Sequence, residues 1–563
     1  MADTKAGGYI SKIKFNSGEE LEINKNDIVV FVGPNNAGKS QALRDMFQLS
    51  SKTQPGIVMA DTTTTKYAAP VLPLLVKIST VNSHGNSITC QFLEHSTSFP
   101  GDIESFFADM PALGNLRDVF VAYLDTSKRL TICWPPQSIR RDAVRTHPIH
   151  YAAYDPQYRK WLSDNFKKAF NHEVIPHTQF GAAVPLCIGE SVSFEDKDFE
   201  DEQARQEAYA AILDTYRQIQ DQGDGIKSFT GVLLYLMLDH YCTYIIDEPE
   251  SFLHPPQARI MGQIIGKTLT DDQQAFIATH SEDIIKGLIE TCPNRLKIVR
   301  ITRVGDKNSF AILSNESISK MWNDPLLKYS NIMSGLFHKT VVLCESDSDC
   351  KMYSIIEGHI KQSDGKYSET LFIHCGGKQR MASTATALRL LNVDVKLIPD
   401  IDVINDEAVF RAIVEAFGID WDTIKTDYNT VACNLHSPKE KINRNTVKAA
   451  ILQILDGSKN TDLSSKEITR INDEIRTISK WDNIKKMGSA AIPSGDPTNS
   501  FKKMDQILRE HGIYIVPVGE IECFIKEVGD HGPKWVNRVL EQYGDLDHEV
   551  YAQITKFVRD MNL

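Results

Sequence analysis

Two groups of residues in this sequence have the types and the spacing for chemistry on phosphates. The first is Gly33-Pro-Asn-Asn-Ala-Gly38-Lys39-Ser40, which follows an apolar run and has the form Gly-x-x-x-x-Gly-Lys-Ser. Backbone N–H groups and the lysine of such a loop bind the phosphates of a nucleoside triphosphate, and the serine hydroxyl binds Mg²⁺. We therefore predict that ATP binds at Gly33, Asn36, Gly38, Lys39 and Ser40, with Ser40 also a Mg²⁺ ligand.

The second group consists of carboxylates that follow two apolar runs, and its members are Glu345, Asp347, Asp349, Asp400 and Asp402. Carboxylate oxygens are the ligands that Mg²⁺ and Mn²⁺ prefer, and a pair of such ions can activate water and stabilise a leaving oxygen. Because side chains alternate along a strand, Asp400 and Asp402 face the same way. The pattern predicts a divalent-metal site that cleaves phosphodiesters, with Glu345 as a catalytic ligand. An acidic surface loop is the alternative for either cluster alone.

Further charged residues near the C-terminal end fit the same chemistry. Glu520 and Glu522 follow another apolar run and are predicted to be ligands of a second metal ion. A lysine beside the scissile phosphate would neutralise negative charge in the transition state. Lys534 is the predicted catalytic lysine, with Lys485 and Lys486 as second choices.

Apolar runs of strand length must position the nucleotide-binding residues. Residues 27–32 are predicted to form a buried strand immediately before the loop. Residues 244–247 form another such run, which ends in Asp247 and Glu248. We predict that Asp247 binds Mg²⁺ and that Glu248 polarises the attacking water. A third run ends before His280, which is predicted to sense the γ-phosphate.

The order of these patterns predicts an α/β protein of two major domains. Strands are predicted at 9–15, 71–80 and 87–93, and in the second domain near 340–344, 371–374, 395–400 and 514–517. The predicted domains are the first half of a nucleotide-binding head at 1–100, a mainly helical insertion and possible dimerisation region at 101–222, the second half of the head at 223–335, and an α/β domain at 338–563 with a helical insertion at about 405–500.

The composition is that of a folded protein without a membrane segment. The 563 residues are 42% hydrophobic and 24% charged, and no apolar run reaches the roughly 20 residues of a membrane helix. The first residues lack the apolar stretch of a signal peptide, and the ten cysteines form no Cys-x-x-Cys pair. We therefore expect a cytoplasmic protein with reduced thiols. The net charge of −12 does not exclude DNA binding, because bound cations offset the charge of metal-site carboxylates.

The loop, the acidic pair and His280 together resemble the ATP-binding-cassette type of ATPase found in chromosome-maintenance and recombination-repair proteins. The resemblance implies a head that dimerises, in which each copy completes its partner's ATP site with a short signature segment. Residues 223–231, Gly-Asp-Gly-Ile-Lys-Ser-Phe-Thr-Gly, stand where that segment is expected. They depart from the common Leu-Ser-Gly-Gly form, and Ser228 is the residue that the resemblance assigns to the partner's nucleotide.

The carboxylate array resembles the toprim domain of topoisomerases, primases and certain nucleases, which has a Glu on one strand and an Asp-x-Asp on a later one. Glu345 and the pair Asp400 and Asp402 match that pattern, although Ser346 stands where the family often has glycine. The Gly-Gly-Lys turn that contains Lys378 resembles the family's glycine-rich turn. The resemblance implies a Rossmann-like fold for this domain.

An ATPase head followed by a toprim domain resembles the overcoming-lysogenization-defect (OLD) family of nucleases. The resemblance implies dimers or tetramers and metal-dependent nicking or cleavage of DNA. It also implies frequent duty in bacterial defence against phage. Family members act alone, beside a helicase as in Gabija systems, or in retrons with a reverse transcriptase and its small DNA.

The leading hypothesis is an ATP-regulated, metal-dependent DNA endonuclease. A DNA-clamping ATPase whose toprim unit is a non-catalytic scaffold is the main alternative. A primase or topoisomerase is a third hypothesis, although no zinc module precedes the toprim unit and no tyrosine is distinguished as a nucleophile.

Overall fold

The protein is described here by a computed structural model, which covers residues 5–51, 56–84, 87–93, 95–194, 199–305, 307–313, 331–435, 444–457, 462–465, 467–468, 470–471 and 480–563. The chain divides into two compact units, residues 1–337 and residues 338–563. No helix in the described residues is both long enough and apolar enough to cross a membrane.

The first unit mixes strands and helices along its whole length. Its strands are β1 Gly8–Phe15, β2 Glu20–Glu22, β3 Ile28–Val32, β4 Met59–Lys66, β5 Thr80–His84, β6 Ser87–Phe92, β7 His95–Pro100, β8 Val121–Leu124, β9 Glu173–Pro176, β10 Leu186–Gly189, β11 Arg217–Gln218, β12 Thr243–Asp247, β13 Gln274–Ala278, β14 Leu296–Val304 and β15 Lys307–Leu313. Its helices are α1 Lys39–Leu49, α2 Leu72–Ile78, α3 Ile103–Asp109, α4 Arg117–Phe120, α5 Thr126–Thr131, α6 Pro148–Tyr154, α7 Pro156–Phe170, α8 Glu202–Leu213, α9 Asp224–Leu236, α10 Pro255–Thr268 and α11 Glu282–Thr291.

A six-stranded sheet forms the centre of the first unit, in the order β15-β14-β3-β13-β12-β8. All neighbours except the antiparallel pair β14 and β15 run parallel. Every residue of β3 is buried, as expected for a strand that is covered on both faces of a parallel sheet. The carboxyl ends of β3, β13, β12 and β8 therefore meet at one edge, which is where ligands bind in open α/β sheets.

Three small antiparallel sheets complete the first unit. Their strand orders are β2-β1-β4, β5-β6-β7 and β9-β10-β11. The strands predicted at 9–15, 27–32 and 87–93 are confirmed as β1, β3 and β6.

One prediction about the first unit is wrong. Residues 72–78 form a helix, because Pro73 suits a first helical turn and the buried residues Val71, Leu75 and Ile78 have helical spacing. The stretch 101–222 has more helical than strand residues, as predicted, but it also contributes strands to two sheets. It contains β8, which belongs to the central sheet, and the whole β9-β10-β11 sheet, whose strands of two to four residues are too short to show alternation.

The second unit is built on a parallel sheet in the order β17-β16-β18. Its strands are β16 Thr340–Cys344, β17 Thr370–His374 and β18 Asp394–Ile398. Its helices are α12 Asp347–Ser363, α13 Met381–Leu390, α14 Glu407–Ala416, α15 Trp421–Leu435, α16 Arg444–Asp456, α17 Lys480–Met487, α18 Asp496–Glu510, α19 Pro533–Gln542 and α20 Ala552–Asp560. A buried apolar core joins β16 to α12, α19 and α20 through residues such as Tyr353, Trp535 and Phe557.

The predicted strand at 514–517 is an extended segment rather than a regular strand. It runs beside β18, where the Tyr514 amide donates to the Leu397 carbonyl at 2.8 Å and the Val516 amide donates to the Pro399 carbonyl at 3.0 Å. Pro517 lacks an amide donor, which ends the pairing there. The segment therefore brings Glu520 to the same edge of the sheet as the end of β18.

The close packing of α9 on α5 predicts that alanine substitutions at two helical glycines, Gly231 in α9 and Gly358 in α12, have opposite effects on stability. A Cβ at Gly231 would lie 2.2 Å from the Arg129 carbonyl oxygen, whereas a Cβ at Gly358 would meet nothing within 4 Å. We expect Gly231→Ala to lower the free energy of unfolding by about 1–3 kcal/mol because of overpacking. Gly358→Ala should instead raise it by roughly 0.5–1 kcal/mol through helix propensity. Denaturant unfolding of both variants checks the prediction, and two changes of the same sign would contradict it.

Candidate functional site

The phosphate-binding loop, residues 33–40, connects β3 to α1. Gly33 and Gly38 have φ of 143° and 101°, and Asn36 has φ of 59°. Gly33 also lies against another strand, since a Cβ there would be 2.0 Å from the Ile301 carbonyl oxygen. Only glycine fits both the backbone conformation and the space at Gly33.

Lys39 is held inside this loop. Its Nζ donates to the carbonyl oxygens of Gly33 at 2.9 Å and Pro34 at 2.8 Å. The side chain is buried, and burial lowers the pKa of Lys39 to about 8. An anionic phosphate at this position would restore full protonation of the lysine. The loop thus holds a cation ready for a triphosphate.

Ser40 and Asp247 form the predicted Mg²⁺ site of the nucleotide. The Ser40 hydroxyl donates to Asp247 Oδ1 at 2.9 Å, which joins the start of α1 to the end of β12. Burial raises the pKa of Asp247, and the Ser40 hydrogen bond opposes that shift. A hydroxyl and a carboxylate oxygen beside a lysine are the hard donors that suit a magnesium-bound nucleotide.

Glu248 and His280 lie together at the same sheet edge. Glu248 Oε1 is 3.6 Å from His280 Nε2, and the Ser251 hydroxyl donates to Glu248 Oε2 at 3.2 Å. Burial lowers the pKa of His280, with a contribution from the charge of Lys39. A neutral imidazole can accept or donate a hydrogen bond beside the γ-phosphate, as the sequence predicts for His280.

Two residues of this site, Glu250 and Arg129, were not predicted from the sequence. Glu250 Oε1 accepts the backbone N–H of His280 at 2.7 Å and so fixes the end of β13. Its place two residues after Glu248 was a usable signal. Arg129 is fully buried and donates to the backbone carbonyls of Asp247 and Glu248. It belongs to no motif and lies more than one hundred residues from these partners, so the sequence carried no signal for it.

The structure does not support the assignment of Ser228 to a partner's nucleotide. Ser228 is completely buried in α9, and its Oγ accepts a hydrogen bond from Arg129 Nε at 3.1 Å. The departure of residues 223–231 from the Leu-Ser-Gly-Gly form accompanies this inward position. Ser228 is a structural partner of Arg129 in its own chain.

In the second unit, four of the predicted metal ligands gather at the carboxyl edge of the parallel sheet. Glu345 follows β16, Asp349 lies in the first turn of α12, and Asp400 and Asp402 follow β18. Burial raises the pKa of Asp400 well above its usual range, and the charges of Asp349, Glu345, Glu520 and Asp402 raise it further. Burial likewise raises the pKa values of Glu345 and Asp349.

Two lysines neutralise one side of this cluster. Asp402 Oδ2 lies 3.1 Å from Lys378 Nζ and 2.9 Å from Lys485 Nζ, and Lys485 Nζ is also 3.2 Å from Glu520 Oε1. Burial opposes the charge of Lys485, but its hydrogen bonds to Asp402 and Glu520 raise its pKa above the ordinary value. Lys485, a second choice in the sequence analysis, contacts two of the carboxylates, and Lys378 contacts one of them.

Glu522 is placed beside a histidine that the sequence analysis did not select. Ligand atoms of Glu520, Glu522 and His531 all lie within 4.8 Å of one another. Glu522 Oε1 also accepts the backbone N–H of Gly532 at 2.8 Å. Glu520 and Glu522 are therefore near each other, as the prediction of a second ion requires.

Two residues predicted for this site, Asp347 and Lys534, are exposed. Asp347 is exposed and pairs with Lys351 at 2.9 Å. Because positions two apart on a helix point to different faces, the start of α12 turns Asp347 outward when it turns Asp349 inward. Lys534 is exposed in the first turn of α19, whereas Lys485 contacts Asp402 and Glu520.

The carboxylate cluster fits divalent metal ions. Glu345 Oε2 is a buried oxygen that has no hydrogen-bond partner among the described residues. Buried carboxylates at one edge repel one another, and a divalent cation removes that repulsion. The donors are all oxygens, which suits Mg²⁺ or Mn²⁺.

This repulsion predicts how stability depends on pH without metal. A carboxyl group with a raised folded-state pKa binds more protons when folded, so its contribution to stability is lost as pH rises from about 4 towards the raised pKa. We expect Asp400→Asn to raise the Tm in EDTA at pH 7 by about 2–4 °C and to change it little at pH 4. Thermal unfolding measures this, and an equal difference at both pH values would contradict it.

The chain was compared with family models, curated proteins and solved structures, and the family match lies in the first unit. A family model described as "AAA domain, putative AbiEii toxin, Type IV TA system" matches residues 190–285, which include Asp247, Glu248 and His280. No curated protein matches the chain. Similar solved structures are an Smc head bound to the C-winged helix domain of ScpA, the Smc head domain with an extended coiled coil from Pyrococcus furiosus, and the SMC head domain from Thermotoga maritima.

These structures show 14%, 13% and 12% sequence identity and TM-scores of 0.31, 0.29 and 0.28. They cover 55%, 56% and 55% of this chain, and each is itself covered to 99%.

The family match and the site geometry both indicate a nucleotide-binding site in the first unit. The match spans the strand with the acidic pair and the strand before His280. The hydrogen bond from Ser40 to Asp247 joins these residues to the phosphate-binding loop. The first unit therefore contains an ATPase domain of the P-loop class.

Proposed function

We propose that this chain is an ATP-regulated, divalent-metal-dependent DNA endonuclease of the OLD type, with a toprim domain as its second unit. The observation that carries the proposal is the gathering of Glu345, Asp349, Asp400 and Asp402 at one edge of a parallel sheet. Three of these carboxyl groups have raised pKa values, which is a mark of functional sites.

The carboxylates would hold Mg²⁺ or Mn²⁺, with Glu520 and Glu522 as ligands of a second ion. Bound ions of this kind activate water and stabilise the leaving oxygen of a phosphodiester. Lys378 and Lys485 lie beside Asp402, and they would neutralise charge on the phosphate.

The turn that contains Lys378 supports a phosphate substrate. Gly376 and Gly377 both have positive φ, 69° and 114°, and the Gly377 amide donates to the Glu345 carbonyl at 3.1 Å. A glycine turn without side chains allows a nucleic-acid backbone to come close to Glu345. Lys378 then supplies the positive charge that binding to a phosphate backbone needs.

ATP at Lys39, Ser40, Asp247, Glu248 and His280 would regulate cutting. The resemblance to ATP-binding-cassette heads supports a dimer or tetramer that forms through the first unit. A role of this protein in phage defence rests on the OLD resemblance alone. The same resemblance suggests the partner, which would be a helicase or a reverse transcriptase with its small DNA.

The experiment is incubation of the purified chain with supercoiled plasmid in Mg²⁺, Mn²⁺ or EDTA, each with and without ATP. We expect nicked or linear DNA in the presence of either metal and none in EDTA. Intact plasmid under every condition, together with DNA binding that does not depend on metal, would overturn the proposal. That outcome would favour the DNA-clamping ATPase, in which Lys378 and Lys485 permanently neutralise Asp402.

A further inference from the structure

A buried guanidinium lies beneath the ATPase site, and it uses every donor that it has. Arg129 of α5 is fully buried. An arginine side chain carries five N–H donors. The five donate from Nε to Ser228 Oγ at 3.1 Å, from Nη1 to the Leu124 carbonyl at 3.1 Å and the Asp247 carbonyl, and from Nη2 to the Glu248 carbonyl at 3.0 Å and Thr126 Oγ1 at 3.3 Å.

Arg129 is one of several groups that hold the backbone of Glu248, whose amide also donates to the Ala278 carbonyl and whose carbonyl also accepts the Ser251 amide. Its φ of 49° lies in the left-handed region, which residues other than glycine rarely adopt. Arg129 donates to two consecutive backbone carbonyls, those of Asp247 and Glu248, which lie before and after the Glu248 Cα. The direction of the Glu248 carboxylate, 3.6 Å from His280 Nε2, follows from that backbone.

Helix α9 contacts the surroundings of Glu248 in two ways. Ser228 binds Arg129 directly. At the start of α9, a Cβ on Gly225 would lie 2.5 Å from the Phe252 carbonyl oxygen, so the helix also packs on the loop that follows Glu248. A shift of α9 must therefore move both Arg129 and this loop.

We propose that Arg129 is a positioning residue that couples α9 to the orientation of Glu248, so that displacement of α9 changes the rate of ATP hydrolysis. The inference rests on the proposed role of Glu248 in hydrolysis. Arg129 itself does not touch the nucleotide. Its planar fork is essential, since lysine has three donors on one atom and cannot bind two adjacent carbonyls and Ser228 together.

The test compares Arg129→Lys in the full chain with Arg295→Lys. Arg295 is a matched control, because it also donates to four backbone carbonyls, those of Asn26, Leu269, Thr270 and Gln273, but lies in the turn before β14. We expect Arg129→Lys to lower kcat for ATP hydrolysis by about 10–100-fold, with the Kd for a fluorescent ATP analogue changed less than about twofold. Arg295→Lys should lower the Tm without changing kcat.

A second readout separates positioning from general stability. In a Glu248→Gln background, Arg129→Lys should cause no further loss of kcat, because both changes affect the same step. Ser228→Ala should give a smaller loss that is not additive with Arg129→Lys. A kcat change no larger than that of Arg295→Lys, or a proportional loss of nucleotide affinity, would overturn the coupling alone. Absence of hydrolysis by the parent chain, at the level of Lys39→Ala, would overturn the ATPase role as well.

Discussion

Asp400→Asn is expected to lower DNA cleavage by about 10³-fold or more at saturating Mn²⁺. Asp400 is the carboxylate on which the charges of Asp349, Glu345, Glu520 and Asp402 all act. The amide keeps the size of the side chain but removes the charge that binds a cation. Loss of about 4 kcal/mol of transition-state stabilisation corresponds to this factor. The measurement is the initial rate of plasmid nicking as a function of Mn²⁺ concentration.

Asp347→Asn is the matched control for this variant. It makes the same chemical change in the same unit, but Asp347 is exposed and paired with Lys351. We expect its nicking rate to stay within about twofold of the parent, as for most surface substitutions. Equal rates for Asp400→Asn and the parent, or an equal loss in both variants, would show that the carboxylate cluster is not the cleavage centre.

Glu248→Gln is expected to lower ATP hydrolysis by about 10²–10³-fold while ATP binding is retained. Removal of a positioned general base costs a factor of this order. The triphosphate contacts belong to Lys39 and Ser40, which the change does not touch. Rapid-mixing measurement of phosphate release gives kcat, and equilibrium titration with labelled ATP gives Kd.

The comparison variant is Lys39→Ala, which should lose binding as well as hydrolysis. Lys39 supplies the positive charge of the phosphate-binding loop, so its removal raises the Kd. If Glu248→Gln hydrolyses ATP at the parent rate, another group must orient the attacking water. Glu250 is then the next candidate, because its Oε1 accepts the His280 amide at the same sheet edge.

The residues of both centres could be chosen from the sequence for one physical reason. Each follows an apolar run of strand length, and parallel strands bring their carboxyl ends to one edge. The order of strand, loop and helix around Lys39 is confirmed by β3 and α1. The same reasoning selected Asp247 and Asp400 at the ends of β12 and β18.

Other features depend on three-dimensional packing and could not be predicted from the sequence. Strand β8 has only four residues, and its place beside β12 is visible only in the folded sheet. Arg129 acts through carbonyl oxygens, which every residue has, so no side-chain pattern marks its partners. The outward turn of Asp347 depends on where α12 begins, and helix boundaries are the part of a pattern that sequence reasoning places least well.

The central claim is that the ATP site controls cutting at the carboxylate cluster. Its most direct test is the rate of plasmid cleavage by Lys39→Ala and Glu248→Gln, both with saturating Mn²⁺ and ATP. The first variant cannot hold ATP and the second holds it without hydrolysis, so the account predicts rates that differ by at least about tenfold, on opposite sides of the parent rate. The parent rate in both variants would contradict control of the nuclease by ATP.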